Sequence, residues 1–298
     1  MDYRKILKVY LLVAVPITVL TIIGSQVGLV ENLVYQKSGA RTRISFGFIY
    51  PTDFAAHIFY LSIAWLILRL ERITYFEIIS FFVLSGCLYL FCDALCGALC
   101  ELLLAVAVLF VKLYIKLRVP IKPDKFVHMI FFIGCMILPI LLAIVIILLS
   151  YYFTWSSDFL KKANFFLSGR PRMGNLAFSN YDITMFGDVI NMNGYGGTTT
   201  HTFTRKDYFF LDSSYMWMLF RYGICGLLCS VGMTEAIMIK CRKNLFIIVS
   251  IALICVHSFI EHHFSGYEYN VLFLMAFASF ESIAGYGKEK NRIENDLF

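Results

Sequence analysis

The chain has 298 residues, of which 59% are hydrophobic, 17% aromatic and 15% charged, whereas soluble domains carry about 25% charged residues. That composition excludes a soluble globular domain and an intrinsically disordered chain. The net charge of +6 is scattered over short loops, which excludes a nucleic-acid module with its concentrated basic patch. Of the nine cysteines, all but Cys241 fall in apolar runs, where free cysteine packs as a small hydrophobe, so a disulfide-built scaffold is excluded too.

The apolar residues arrive in uninterrupted runs of roughly 18 to 25, the length an α-helix needs to cross a hydrocarbon core of about 30 Å. In chain order they predict spans near 7–29, 54–70, 74–92, 94–112, 126–153, 213–239, 245–263 and 269–285, about eight helices of an all-α polytopic bundle that forms one integral membrane domain over 1–298. The first run follows Arg4, Lys5 and Lys8. It is long for a signal peptide and lacks a small-residue cleavage site around Gly24 to Gly28, so it reads as a retained anchor. Cys92, Cys96 and Cys100 form a one-sided helical stripe, read as packing because zinc ligand pairs are closer together and come with a second pair.

Orientation follows from the basic residues. With the N-terminus inside, Arg69 and Arg72, then Lys112, Lys116, Arg118, Lys122 and Lys125, then Lys240, Arg242 and Lys243, and finally Lys288, Lys290 and Arg292 all fall on the inner side. This predicts both termini in the cytoplasm. The remainder run against that trend: Lys37, Arg41 and Arg43 in an outer loop over 30–53, Lys161, Lys162, Arg170, Arg172, Arg205 and Lys206 in a large outer loop over 154–210, and Arg221 just inside the sixth span. They ask for an anionic partner, although a solvated face drawn to lipid headgroups is the simpler reading for Lys161, Lys162, Arg205 and Lys206. Within the large loop, Ser157 to Leu167 predicts a short interfacial helix capped by Ser156 or Ser157. Asn193 to Thr204 reads as a polar loop.

Four stretches carry candidate chemistry. Arg43-Ile44-Ser45-Phe46-Gly47-Phe48, followed by Pro51-Thr52-Asp53, places an arginine with a planar two-pronged donor set at the mouth of the bundle. Ser168-Gly169-Arg170-Pro171-Arg172 reads as a stiff turn in which glycine lets a ligand approach the backbone between arginines. Asp212-Ser213-Ser214-Tyr215, with Arg221 one helical stretch later, sits at the outer end of the sixth span, where Asp212 serves equally well as a helix-capping acid or as a reacting group. His257-Ser258-Phe259-Ile260-Glu261-His262-His263 sets His257 and Glu261 four apart on one predicted helix face. Its order departs from the His-Glu-x-x-His of zinc proteases, so no metal is expected. Ionisable groups in a span are costly and favour a functional or paired role. Glu77, Glu101 and Glu235 read only as bundle-interior or boundary residues.

Taken in order, these stretches resemble the Wzy-type polysaccharide polymerases of bacterial capsule, O-antigen and exopolysaccharide loci. The family's arginine-serine-glycine-phenylalanine stretch is similar to Arg43, Ser45, Gly47 and Phe48 with Pro51, and its serine-glycine-arginine to Ser168, Gly169 and Arg170. Its later elements resemble Met185 to Gly187, Asp212 to Tyr215, and Ser258 to Glu261. The likeness spans roughly residues 41–270. Two departures stand out: Pro51-Thr52 where the family has proline-asparagine, and the lack of several N-terminal spans common in such polymerases.

The resemblance implies a glycosyltransferase-type reaction on the outer face of the bacterial plasma membrane, joining oligosaccharide repeats carried on undecaprenyl pyrophosphate, with no cofactor. It implies substrate-binding roles for Arg43, Arg170, Arg172, Arg221, Ser45, Gly169 and Tyr215. For the catalytic base it leaves His257, Glu261 and Asp212, with His257 favoured because its ordinary pKa suits proton transfer near neutrality. Partners expected on the same basis are membrane lipids, a flippase and a chain-length regulator, and no nucleic acid. Alternatives are a flippase for the same lipid-linked sugars, an O-antigen ligase-like transferase, or an inactive polymerase fragment. Tyr181, Tyr195 and Tyr208 are candidates for stacking on sugars, with an interfacial aromatic belt the safer reading.

Overall fold

The computed structural model describes residues 1–36, 41–117, 125–194, 208–266 and 268–284. Lys37, Arg118, Lys122, Tyr195, Arg205, Lys206, Lys288, Lys290, Arg292 and the stretch from 195 to 204 lie outside the described residues. In chain order the elements are α1 (Tyr3–Gln26), a hairpin of β1 (Val34–Gln36) and β2 (Thr42–Ile44), α2 (Pro51–Arg69), α3 (Tyr75–Cys87) running on into a π-turn (Leu88–Cys92), α4 (Leu95–Leu117), α5 (Lys125–Tyr151), α6 (Asp158–Phe166), α7 (Arg170–Asn180), α8 (Ser214–Arg221), α9 (Gly223–Lys240), α10 (Leu245–Ile260) and α11 (Phe280–Ala284). Among the described residues six of these helices, α1, α2, α3 with its π-turn, α4, α5 and α9, are long and apolar enough to cross a membrane. The chain is therefore a multi-pass helical membrane protein. The apolar α10 is shorter, at 16 residues.

Burial sorts the helices into centre and rim. α2 is apolar all round and is the most buried of the six, with Phe59, Ile63, Leu66 and Ile67 sealed from outside; a helix of that kind belongs in the middle of a bundle. Its entry is set by Pro51 in the first turn, where the missing amide costs nothing. Gly97 of α4 meets Ala55 of α2 so closely that an added Cβ would lie 2.7 Å from the alanine methyl, a small-residue contact of the kind that brings membrane helices together. α1 and α5 instead present large apolar side chains outward, such as Leu12, Leu20, Ile137 and Leu141. With lipid as the solvent, such exposure is the expected outcome.

Basic side chains staple one end of the bundle. The Arg4 guanidinium donates to the carbonyls of Ile67, Leu68, Ile283 and Ala284, and Lys112 donates to the Ile73 carbonyl. Lys240 donates to the carbonyls of Met275, Ala276 and Ala278 at 3.0, 2.6 and 2.8 Å. Glu77 closes a capping box with Thr74 at the start of α3 and pairs with Arg69 at 2.8 Å. The opposite end of α2 carries Asp53, and the opposite end of α10 carries Glu261.

Three expectations need correction. The sixth span is two helices, α8 and α9, broken at Tyr222-Gly223; there the loop over Thr184 to Asp188 docks, with the amides of Ile224 and Cys225 donating to the carbonyls of Thr184 and Met185. The seventh ends at Ile260, because Glu261 is already extended, so His257 and Glu261 do not share a helix face. The eighth is not one α-helix: Val271–Phe277 winds as a 3-10 helix after the Asn270 cap, and α11 covers five of the described residues. This return segment nevertheless runs beside α1. The Tyr10 hydroxyl donates to the Glu268 carbonyl and the Tyr3 amide to the Ser282 hydroxyl.

Candidate functional site

Four chain segments meet at the end of the bundle opposite the basic staples. The first turn of α7 supplies Arg170, α2 supplies Asp53, the approach to α8 supplies Asp212, and the exit from α10 supplies Glu261, His262 and His263. Each is held for a local reason. Ser168 and Gly169 both adopt positive φ, of 51° and 91°, a conformation glycine adopts freely. The turn is sealed by Asn164, whose carbonyl accepts from the Gly169 amide and whose side chain accepts from the Arg172 amide. Arg170 thus opens α7, with Pro171 in the helix's first turn, and is not part of the loop that the sequence suggested.

The Arg170 side chain donates from Nε to the Ile260 carbonyl at 3.2 Å and from Nη2 to Glu261 Oε1 at 3.4 Å, and its Nε lies 3.6 Å from Asp212 Oδ2. Asp212 precedes Ser213, the residue that takes the N-cap position of α8, and faces the arginine. Ser214 is fully buried; its hydroxyl donates to the Glu261 carbonyl at 2.5 Å and accepts from the Phe264 amide at 3.2 Å. The Tyr215 hydroxyl donates to the Cys255 carbonyl. The Asp-Ser-Ser-Tyr stretch therefore fastens α8 to α10 and fixes Glu261 beside Arg170. Burial pushes the carboxyls of Asp212 and Glu261 above their ordinary range, against the downward pull of Arg170.

A histidine group adjoins this cluster. His263 Nε2 lies 3.1 Å from Asp53 Oδ1. The His262 ring stacks on His263 with centroids 4.4 Å apart and on Trp217 at 5.5 Å. Burial, with His263 alongside, lowers the pKa of His262 to about 4. His257 lies deeper, 1% exposed, with its ring stacked on Phe59 and 5.9 Å from His263. The Nδ1 atoms of His257, His262 and His263 are buried, with no hydrogen-bond partner among the described residues.

The other expected site residues stand apart from this cluster. Arg43 donates from Nε to the Cys92 carbonyl at the end of the π-turn. Ser45 is fully buried, its hydroxyl without a partner among the described residues. Gly47, at φ +88°, packs against Thr21 of α1. Arg172 is exposed. Arg221 is exposed and stacks over Trp217 at 5.1 Å, while its carbonyl lies against Gly187, where an added Cβ would approach to 2.1 Å. Tyr181 stacks on Phe209. Asp53, His262 and His263 lie inside stretches named from the sequence, but no role followed for any of them from the sequence alone. No family model, curated protein or solved structure matches the chain.

Proposed function

We propose that the chain is a polysaccharide polymerase of the Wzy type, lying in a bacterial plasma membrane with both termini in the cytoplasm and the Arg170 cluster on the outer face. The observation that carries this reading is convergence: Arg170, Asp212 and Glu261 come from three of the separate stretches on which the family resemblance rests, and their side chains meet within 3.4 to 3.6 Å. In the reaction, the bond between the reducing-end sugar of the growing glycan and undecaprenyl pyrophosphate breaks. A bond from that sugar to a hydroxyl of the next lipid-linked repeat forms. The hydroxyl proton passes to a base, and undecaprenyl pyrophosphate leaves with its negative charge.

Each requirement has a candidate in this chain. Arg170 offers preorganised positive charge for the leaving pyrophosphate, and Arg43 stands on the same end of the bundle to bind its outer phosphate. Asp212 and Glu261 are carboxyls with raised pKa values in a shielded site, suited to accepting and returning a proton. His257 is the third candidate base. Its burial behind Phe59 makes the two carboxyls the better placed. A flippase is less well supported, because the polar groups gather at one end of the helices rather than at the midplane. A flippase and a chain-length regulator are the protein partners this reading entails.

The test is a deletion strain analysed for surface glycan by gel and mass spectrometry, then complemented with the wild-type chain, Arg170→Ala, Arg170→Lys and Arg43→Lys. Collapse of the glycan to single repeats, rescued by the wild type and not by the Arg170 variants, is the expected result. Repeats trapped inside the cell would indicate a flippase, and polymerisation by both lysine variants would remove the arginine clamp.

A further inference from the structure

We infer that Asp53, His262 and His263 form a divalent-cation site at the edge of the Arg170 cluster. Among the described residues their ligand-capable atoms all lie within 4.8 Å of one another. His263 Nε2 and Asp53 Oδ1 are 3.1 Å apart, and two ligands each bound to one ion at about 2.1 Å stand about 3.0 to 3.5 Å apart. The frame is rigid. Asp53 is fixed in the first turn of α2, and the His263 ring is held edge-on by Tyr269 at 4.4 Å. His262 is clasped between His263 and Trp217. Both imidazoles keep a buried Nδ1 without a hydrogen-bond partner among the described residues, so neither ring is committed at both nitrogens.

Charge argues for the same occupant. Asp53, Asp212 and Glu261 set three carboxyls in this corner against one guanidinium, Arg170. That arrangement favours added positive charge. Two imidazoles and one carboxylate suit a borderline metal such as Zn²⁺, Mn²⁺ or Fe²⁺ and leave coordination positions open to an outside ligand. If the polymerase reading holds, that outside ligand is the pyrophosphate, which a corner rich in carboxylates would otherwise repel; the cation site itself does not depend on that reading.

Equilibrium dialysis of Zn²⁺ and Mn²⁺ against the purified full chain in detergent, with no lipid-linked sugar present, tests the site. The wild type and Asp188→Asn, a change at an exposed carboxyl elsewhere, are expected to bind one equivalent equally well, with at least tenfold weaker binding in Asp53→Asn and His262→Gln. Co²⁺ added to the wild type alone should develop visible bands of a nitrogen- and oxygen-held ion, a readout that survives if a variant does not fold. Absence of those bands, or binding unchanged in both folded variants, overturns the proposal. Cation binding in a chain that fails to polymerise sugars would sink the polymerase reading and leave the site standing.

Discussion

Ser214→Ala tests whether the approach to α8 is what holds Glu261 in place. The hydroxyl is fully buried and bridges two backbone groups of another segment, the Glu261 carbonyl and the Phe264 amide. Removing it leaves a buried acceptor and a buried donor unpaired at about 1–3 kcal/mol each, so the loss should be about 2–6 kcal/mol. Unfolding of the purified protein in mixed micelles, followed by tryptophan fluorescence, measures it. Ser230→Ala is the comparison, since that hydroxyl only donates back to Gly226 in its own helix, and it should change stability by no more than about 0.5 kcal/mol. If Ser214→Ala were as mild as Ser230→Ala, the bridge would not be what fixes Glu261, and the role given to the Asp-Ser-Ser-Tyr stretch would be wrong.

Four further outcomes are expected. Gly187→Ala, which adds a methyl 2.1 Å from the Arg221 carbonyl at a φ of +87°, should cost about 3 kcal/mol or more and undock the loop before α8, seen as faster proteolysis at residues 182–190. Lys240→Met removes the donor to three carbonyls of the return segment and should cost about 2–4 kcal/mol in the same unfolding assay. Glu101 is fully buried in α4, with the Ser62 side chain as the one polar neighbour acting on its carboxyl among the described residues, so Glu101→Leu should raise stability by about 1–3 kcal/mol; a fall would reveal that the Ser62 contact holds it. Burial holds the Asp212 carboxyl above its ordinary 3.8, so its contribution to stability is full below that value and fades as pH rises through the folded pKa. Asp212→Asn should therefore lose less stability than the wild type as pH rises from about 4, and parallel curves would contradict the shift.

Much of the scaffold was legible because hydrophobic run length is a direct physical requirement for crossing a membrane. The short helix after Ser157 was legible for a similar reason, since its cap and apolar face are local. The sixth and eighth spans were legible only in part, because a run of apolar residues reports that a segment is buried and says nothing of its winding. Gly223 at φ +71° splits one run, and the return keeps apolar composition but winds as a 3-10 helix over Val271–Phe277 before α11. In the site, Arg170, Asp212 and Glu261 were found from motif order. Asp53 and His263 were not, because they are 210 positions apart and neither looks unusual in its own neighbourhood.

The return segment bears on how the chain is built. A continuous α-helix can leave the translocon and enter lipid alone, since its own ladder satisfies its amides and carbonyls. Residues 263–266 and 268–284 have only short 3-10 turns and the turn of α11 for a ladder; the carbonyls of Met275, Ala276, Ala278, Ile283 and Ala284 lean on Lys240 and Arg4, from α9 and α1. They take their place against helices inserted before them, in a docking step rather than a partitioning step. A ribosome stalled soon after residue 284 should therefore hold a bundle whose earlier helices are seated while this segment is still open to protease.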